Sequence, residues 1–164
     1  MASTFSFDVV SKYDFQELKN AVDQAQREIH QRYDLKDTGT ELELSEKDIT
    51  ISTATEYSLQ AVRDTLESKL IRRNLSLKIL DYQNEEQASG GRMRQSVKLR
   101  EGLNDEIAKK LSKQIRDEFK KVTPQIQGDL IRVQAKNKDD LQAVIQALKG
   151  IDDLPVALQF VNYR

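Results

Sequence analysis

The sequence predicts an α+β protein built from two βαββαβ modules, each an antiparallel four-stranded sheet with two helices on one face. Three observations predict it. Runs with helical three- and four-residue apolar spacing alternate with short period-two runs, and the same order occurs twice. A polar, glycine-containing stretch, 84–91, falls near the middle of the chain. At 164 residues, with 38% hydrophobic and 32% charged side chains, the chain is too polar for one large core and suits two small ones. Identity between the two copies is slight, so the repeat rests on pattern.

In the first module, 1–86, Phe5 to Val10 reads as a strand with Phe5, Phe7 and Val9 on one face. Ser11 and Asp14 resemble a capping box. Phe15, Leu18, Val22, Ala25, Ile29 and Tyr33 stripe a helix. Leu42 and Leu44, then Ile49 and Ile51, alternate with polar residues across the turn Ser45 to Asp48, the pattern of a hairpin with one buried face. A helix start at Thr53 and Glu56 leads into the stripe Leu59, Val62, Leu66 and Leu70, and Leu77 and Ile79 suggest a closing strand. The second module, 92–164, repeats the order. A strand covers 92–100 with Met93, Val97 and Leu99 inward. A helix carries Ile107, Leu111, Ile115 and Phe119. A hairpin of 125–127 and 131–133 turns at Gly128. A last helix bears Leu141, Val144, Ile145 and Leu148, and Leu158 to Tyr163 forms a last strand.

Composition bounds the function. There is no cysteine, which excludes disulfides and thiolate metal sites and suits the cytoplasm. Met1 to Phe7 lacks signal-peptide character, and no stretch approaches the ~20 apolar residues of a membrane span. The net charge of −1 hides an asymmetry: 1–86 carries 11 Lys/Arg and 17 Asp/Glu, whereas 87–164 carries 15 and 10. Either a phosphate-bearing partner would prefer the second half, or the halves attract one another within or between chains.

Catalytic constellations are missing. The one histidine, His30, sits on the first helix and reads as a surface or partly packed residue. The pairs Asp23/Glu28, Asp64/Glu67 and Asp117/Glu118 read as solvated helix charges, and Asp139-Asp140 as acids complementing a helix N-terminus. Neither GxxxxGK(S/T) nor GxGxxG occurs, and Gly90-Gly91 before Arg92 fits a close approach to phosphate and a flexible linker equally. The expectation is a binding protein, not an enzyme, with no cofactor and no metal.

Two surfaces are candidates for binding. Between Arg132 and Lys138 a strand runs into a helix start bearing Lys136 and Lys138, a place for an anion that Asp139 and Asp140 oppose. Strand parity turns Arg94, Ser96, Lys98 and Arg100 outward, together with Gln125, Gln127, Arg132 and Gln134. Amides and guanidinium groups on an open sheet can contact bases and phosphates, and a solvated sheet face carries the same polar residues. Leu130 to Ala135 contains no aromatic residue on which RNA bases would stack, so nucleic-acid contact would lean on charge and hydrogen bonds through Arg94, Lys98 and Arg100.

Several runs then point to one family. They are Ser6-Phe7-Asp8-Val9-Val10-Ser11, Asn20-Ala21-Val22 with Arg32-Tyr33-Asp34, Gln125-Ile126-Gln127-Gly128 with Ile131-Arg132-Val133, Lys136 and Asp139-Asp140-Leu141-Gln142, and the ending Gln159-Phe160-Val161-Asn162-Tyr163-Arg164. Together they resemble the bacterial YajQ family of nucleotide-binding proteins over essentially the whole length. The resemblance implies two ferredoxin-like modules whose first strands, 5–10 and 92–100, are exchanged. It implies a non-catalytic binder of nucleotides or nucleic acid, in some members a receptor for cyclic di-GMP, acting through protein partners. Carried over letter by letter, the nucleotide-binding positions are Gln125, Gln127, Arg132, Lys136 and Arg164. Family members commonly have Gly before that Lys and Arg before the Asp pair. Here Ala135 and Lys138 stand instead, so the charge is kept at Lys138 without the two-pronged geometry of Arg. The sheet-based alternative is an RNA-binding protein using the basic second half, and a third reading is a pure assembly protein whose oppositely charged halves pair between chains.

Overall fold

The computed structural model describes residues 4–164; Met1 to Ser3, part of the segment read above for signal-peptide character, lie outside the described residues. In chain order the elements are β1 (Phe5–Val10), α1 (Phe15–Gln31), β2 (Glu41–Leu44), β3 (Asp48–Thr53), α2 (Glu56–Arg72), β4 (Leu80–Gln87), β5 (Met93–Leu99), α3 (Asp105–Glu118), β6 (Val122–Gln127), β7 (Leu130–Ala135), α4 (Lys138–Lys149) and β8 (Gln159–Val161). They form two antiparallel four-stranded sheets, ordered β6-β7-β1-β8 and β2-β3-β5-β4. Each has the strand order of a ferredoxin-like module with its first strand exchanged. β1 lies inside the sheet completed by β6, β7 and β8, and β5 lies inside the sheet of β2, β3 and β4.

The compact units are therefore not the contiguous halves 1–86 and 92–164. One unit is Tyr13–Arg100, and the other joins the segment ending at Lys12 to Glu101–Arg164. The stretch 84–91 is not a free linker either. It holds the end of β4 and a tight turn in which Ala88 N–H donates to the Arg92 carbonyl (2.7 Å), with Gly90 and Gly91 at φ of +73° and +76°. β4 and β5 are thus a hairpin, with Gln87 opposite Met93. Consecutive strands joined by so short a turn must be neighbours. That keeps β5 in the sheet β4 closes and leaves the inner position of the other sheet to β1.

Each unit buries its own core. In the 13–100 unit, Leu42, Ile49, Ile51 and Val97 of the sheet meet Leu18, Val22 and Ile29 of α1 and Leu59, Val62, Leu66 and Leu70 of α2. In the 101–164 unit, Phe7, Val9, Ile131 and Val133 meet Ile107, Leu111 and Ile115 of α3 and Leu141, Val144, Ile145 and Leu148 of α4. Several boundaries differ from the expectation. Asp14 itself caps α1, accepting from Gln16 and Glu17 N–H (2.9 and 3.3 Å), so Ser11 takes no part. α2 starts from the cap Thr55 in a reciprocal box with Ser58. Tyr33 lies past the end of α1 and is exposed. Leu77–Ile79 is a 3-10 turn that precedes β4. No described helix is long and apolar enough to cross a membrane.

Where the chain leaves β5 for α3, Gly102 has φ +84° and its N–H donates to the Ser11 carbonyl (2.6 Å). A Cβ there would lie 2.7 Å from Asp129 Oδ2 and 3.0 Å from its Cβ. Gly102→Ala combines an unfavourable backbone region with this crowding, and is expected to cost about 1–3 kcal/mol. A urea unfolding midpoint equal to the parent's would contradict this.

Candidate functional site

The sheet face of the 101–164 unit opposite its helices follows from register. Thr123 pairs with Gln134, Gln125 with Arg132 and Gln127 with Leu130, while Arg132 stands opposite Asp8 and Gln134 opposite Ser6. Val9, Ile131 and Val133 point the other way, into the core. The face is rich in amides, and at its centre is an ion pair. Arg132 donates from Nε to Asp8 Oδ1 (3.0 Å) and from Nη2 to Oδ2 (3.4 Å), and Asn162 Nδ2 donates to Oδ2 (2.9 Å). Asp8 is only 1% exposed. The Arg132 hydrogen bond holds the Asp8 carboxyl below its ordinary value, against the opposing effect of burial and with help from Asn162. Arg132 is thus committed to a partner within the protein, and a ligand would meet only the N–H groups it has left.

The six residues singled out for nucleotide binding separate into two groups. Gln125, Gln127 and Arg132 lie along the β6–β7 hairpin, and Gln127 Nε2 donates to Gln125 Oε1 (3.4 Å). Lys136, Lys138 and Arg164 lie at the other end of β7, where it passes into α4 and where the C-terminal tail runs beside the start of β1. Two clefts open there. The larger, about 580 Å³, is lined by Thr123, Gln134, Lys136, Asn137 and Asp140, with Lys121 on its wall. The smaller, about 340 Å³, is lined by Phe5, Ser6, Lys138, Leu141, Tyr163 and Arg164, among others. Asn137 caps α4 by accepting from Asp139 N–H (2.8 Å), so the helix terminus already has an internal acceptor.

Sequence reasoning missed Lys121, Thr123 and Tyr163. The first two were within reach of a count. Val122 pairs with Ala135, so one step outward from this register Lys121 comes opposite Lys136. Tyr163 could not be placed by parity, because an extra residue interrupts the last strand.

The residues expected to contact nucleic acid lie in the other unit. Arg94 and Lys98 are exposed on the face of the 13–100 sheet opposite its helices, and each has carboxylates beside it. Arg94 pairs with Glu86 (3.8 Å), Lys98 stands opposite Asp48 on one side and Asp81 on the other, and Arg100 pairs with Asp81 (3.0 Å). The exchange also redistributes charge. The 101–164 unit, with residues 1–12, carries 12 Lys/Arg and 11 Asp/Glu, and the 13–100 unit carries 14 and 16. Most of the asymmetry between contiguous halves vanishes in the folded units. His30 Nε2 lies 3.2 Å from the Thr40 carbonyl oxygen. Among the described residues, no cluster of His, Asp or Glu is arranged to hold a metal ion.

The molecule is a pair of ferredoxin-like modules with exchanged strands and a lysine-flanked cleft at the end of one sheet. Residues 5–164 match the family described as "Nucleotide-binding protein YajQ-like", and the chain belongs to that family. A relative from Synechococcus sp. (strain JA-3-3Ab), named "Nucleotide-binding protein", is 62% identical over 164 residues, covering all of both chains. Relatives of the same description from Trichodesmium erythraeum (strain IMS101) and Nostoc punctiforme are each 60% identical, again over the full length of both chains.

Asp8 and Arg132 tie β1 into its sheet, and their loss has a defined pH signature. Because the folded-state pKa of Asp8 is lowered, the pair's stabilisation is complete above the ordinary aspartate value of 3.8 and is lost as pH falls through the lower folded value. Arg132→Ala, which removes the ion-pair partner of a buried carboxylate and leaves it the Asn162 amide, is expected to lower the denaturation midpoint at neutral pH. The difference from the parent should shrink as the pH drops below 4. Denaturant titrations at pH 7 and pH 3 check this, and a pH-independent difference would be inconsistent with it.

Proposed function

We propose that this chain is a non-catalytic nucleotide-binding protein whose ligand's phosphates occupy the cleft between Lys121 and Lys136. The observation that carries the reading is that both lysines, each one residue beyond the last β6–β7 pair Val122–Ala135, line one cleft of about 580 Å³. That volume lies within the usual range for small-molecule sites. Thr123, Gln134 and Asn137 add neutral polar groups to the wall, and Asp140 is the one acid on it. The relatives' description as nucleotide-binding proteins supports the same class of ligand. Gln125, Gln127 and Arg132 then serve as the neighbouring sheet surface, with Arg132 bound first to Asp8. Lys138 and Arg164 contribute positive charge from the adjoining cleft.

A guanine nucleotide or cyclic di-GMP is the ligand proposed, with the bound protein acting in the cytosol on a regulatory partner. The cysteine-free composition suits that compartment. Calorimetric titration with GTP, cyclic di-GMP and a short mixed RNA at two salt concentrations tests the proposal. Saturable, salt-tolerant binding of one nucleotide is expected, with Lys136→Ala and Lys121→Ala each weakening it about fivefold or more, as loss of a charged hydrogen bond does. Heat only with RNA, vanishing as salt rises, would reflect counterion release and move the function to nucleic acid.

A further inference from the structure

We infer that the smaller cleft is a nucleobase subsite in which Tyr163 supplies the stacking face and Gln142 reads the edge of the base. The inference rests on the assignment of phosphates to the neighbouring Lys121–Lys136 cleft.

The tail is built to aim Tyr163. β8 pairs with β1 through Val10↔Gln159, Val9↔Phe160 and Asp8↔Val161. Two residues further along β1, Ser6 and Arg164 exchange both main-chain hydrogen bonds (3.1 and 3.0 Å). Three residues on the tail therefore span two on β1. The extra one is Asn162, at φ +57°, and this is the geometry of a β-bulge. In an unbroken strand Tyr163 would share the face of Val161 and Asp8. The bulge turns it to the Phe7 side, where the two ring centroids are 6.1 Å apart. The Asn162 amide on Asp8 (2.9 Å) pins the bulge.

The ring so placed is 60% exposed. An isolated exposed aromatic needs no explanation. This one is the wall of a concavity of about 340 Å³ whose remaining lining suits a base. Phe5 and Leu141 are apolar, Gln142 offers an amide and Ser6 a hydroxyl, and Lys138 and Arg164 offer N–H donors to the base's ring-nitrogen and carbonyl acceptors. Lys138 Nζ lies 5.0 Å from the Phe5 ring centroid. Among the described residues neither the Gln142 amide nor the Ser6 hydroxyl is engaged by another side chain. The two clefts are lined by consecutive residues, with Thr4, Asn137 and Asp140 on one and Phe5, Lys138 and Leu141 on the other. On this inference one nucleotide reaches around the end of the sheet from one lining to the other.

The test compares GTP, ATP and inorganic tripolyphosphate as ligands of the full chain. Tyr163→Ala is expected to weaken GTP about tenfold or more, as loss of base stacking does, with tripolyphosphate affinity unchanged. Tyr163→Phe keeps the ring and should bind like the parent. Gln142→Ala should narrow the preference between GTP and ATP. Equal loss of GTP and tripolyphosphate in Tyr163→Ala would make the tail a support for the lysine cleft and overturn the base subsite. So would no loss of either, or a parent protein that binds tripolyphosphate as tightly as GTP, and these outcomes leave the phosphate cleft standing. A parent that binds none of the three, and no cyclic di-GMP either, sinks both assignments. Should Tyr163→Ala fail to fold, nucleotide quenching of tyrosine fluorescence in the parent that is absent in Tyr163→Phe supports the stack, and quenching that persists overturns it.

Discussion

The turn at residues 88–92 is the constraint on which the rest of the molecule depends. It is too short to let β4 and β5 part, so β5 must enter the sheet that β4 closes. A ferredoxin-like sheet without its first strand has an empty inner position between the two strands that should flank it. In the 101–164 unit that position is taken by β1, from the opposite end of the chain. The pairing of Asp8 with Arg132 across 124 residues of sequence follows from this replacement. So does the attachment of the C-terminal tail to β1 through Ser6 and Arg164. Such non-local pairing carries a large loop-closure cost, which only a well-matched strand can offset.

Charge supplies the match. On the face opposite the helices, the 13–100 sheet presents Glu41, Glu43, Asp48, Asp81 and Glu86, and its inserted strand β5 presents Arg94 and Lys98. The other sheet presents Arg132, and its inserted strand β1 presents Asp8. In the register each sheet uses, β1 returned to the 13–100 sheet would set Asp8 opposite Thr50, and β5 returned to the other sheet would set Ser96 opposite Arg132, so the cross-strand ion pairs of both would be lost. Exchange is the arrangement in which both inserted strands meet opposite charge. Asp8 also fixes register, since a slip of one residue would turn its carboxylate into the apolar layer under α3 and α4. A buried ion pair is weak evidence for net stability, and specificity of pairing is the better account of this one.

The elements themselves were legible because their periods are clean: Leu18, Val22, Ala25 and Ile29 on α1, and Ile131 and Val133 on β7, are buried as their spacing requires. The exchange was not legible from those periods, because Phe7-Val9 and Val97-Leu99 fit the inner position of either sheet equally well. Its trace lay in the outward residues. The excess of acid in 1–86 and of base in 87–164 is what remains when each half is counted with the strand that complements the other. The candidate site was partly legible for a related reason. Lys136 stood out beside a helix start, but Lys121 becomes its neighbour only once the Gly128 turn fixes the register. Tyr163 was hidden by a bulge, which no alternation rule anticipates.

Asp8 acts on the site in two ways, and together they explain why binding is assigned to the end of the sheet instead of its middle. By engaging Arg132 it neutralises the one cation that the described residues place at the centre of the open face, and what remains there is a set of amides with little attraction for phosphate. By accepting from Asn162 it holds the bulge that carries Tyr163 across to the Phe7 side. Lys121, Lys136, Lys138 and Arg164 stand where β7 hands over to α4, and an exposed aromatic ring is delivered to the same end. Three distant parts of the sequence meet there: the start of β1, the β7–α4 connection and the tail. Only the exchanged topology brings β1 to this sheet, so on the proposed reading the binding cleft and the strand exchange are consequences of one arrangement.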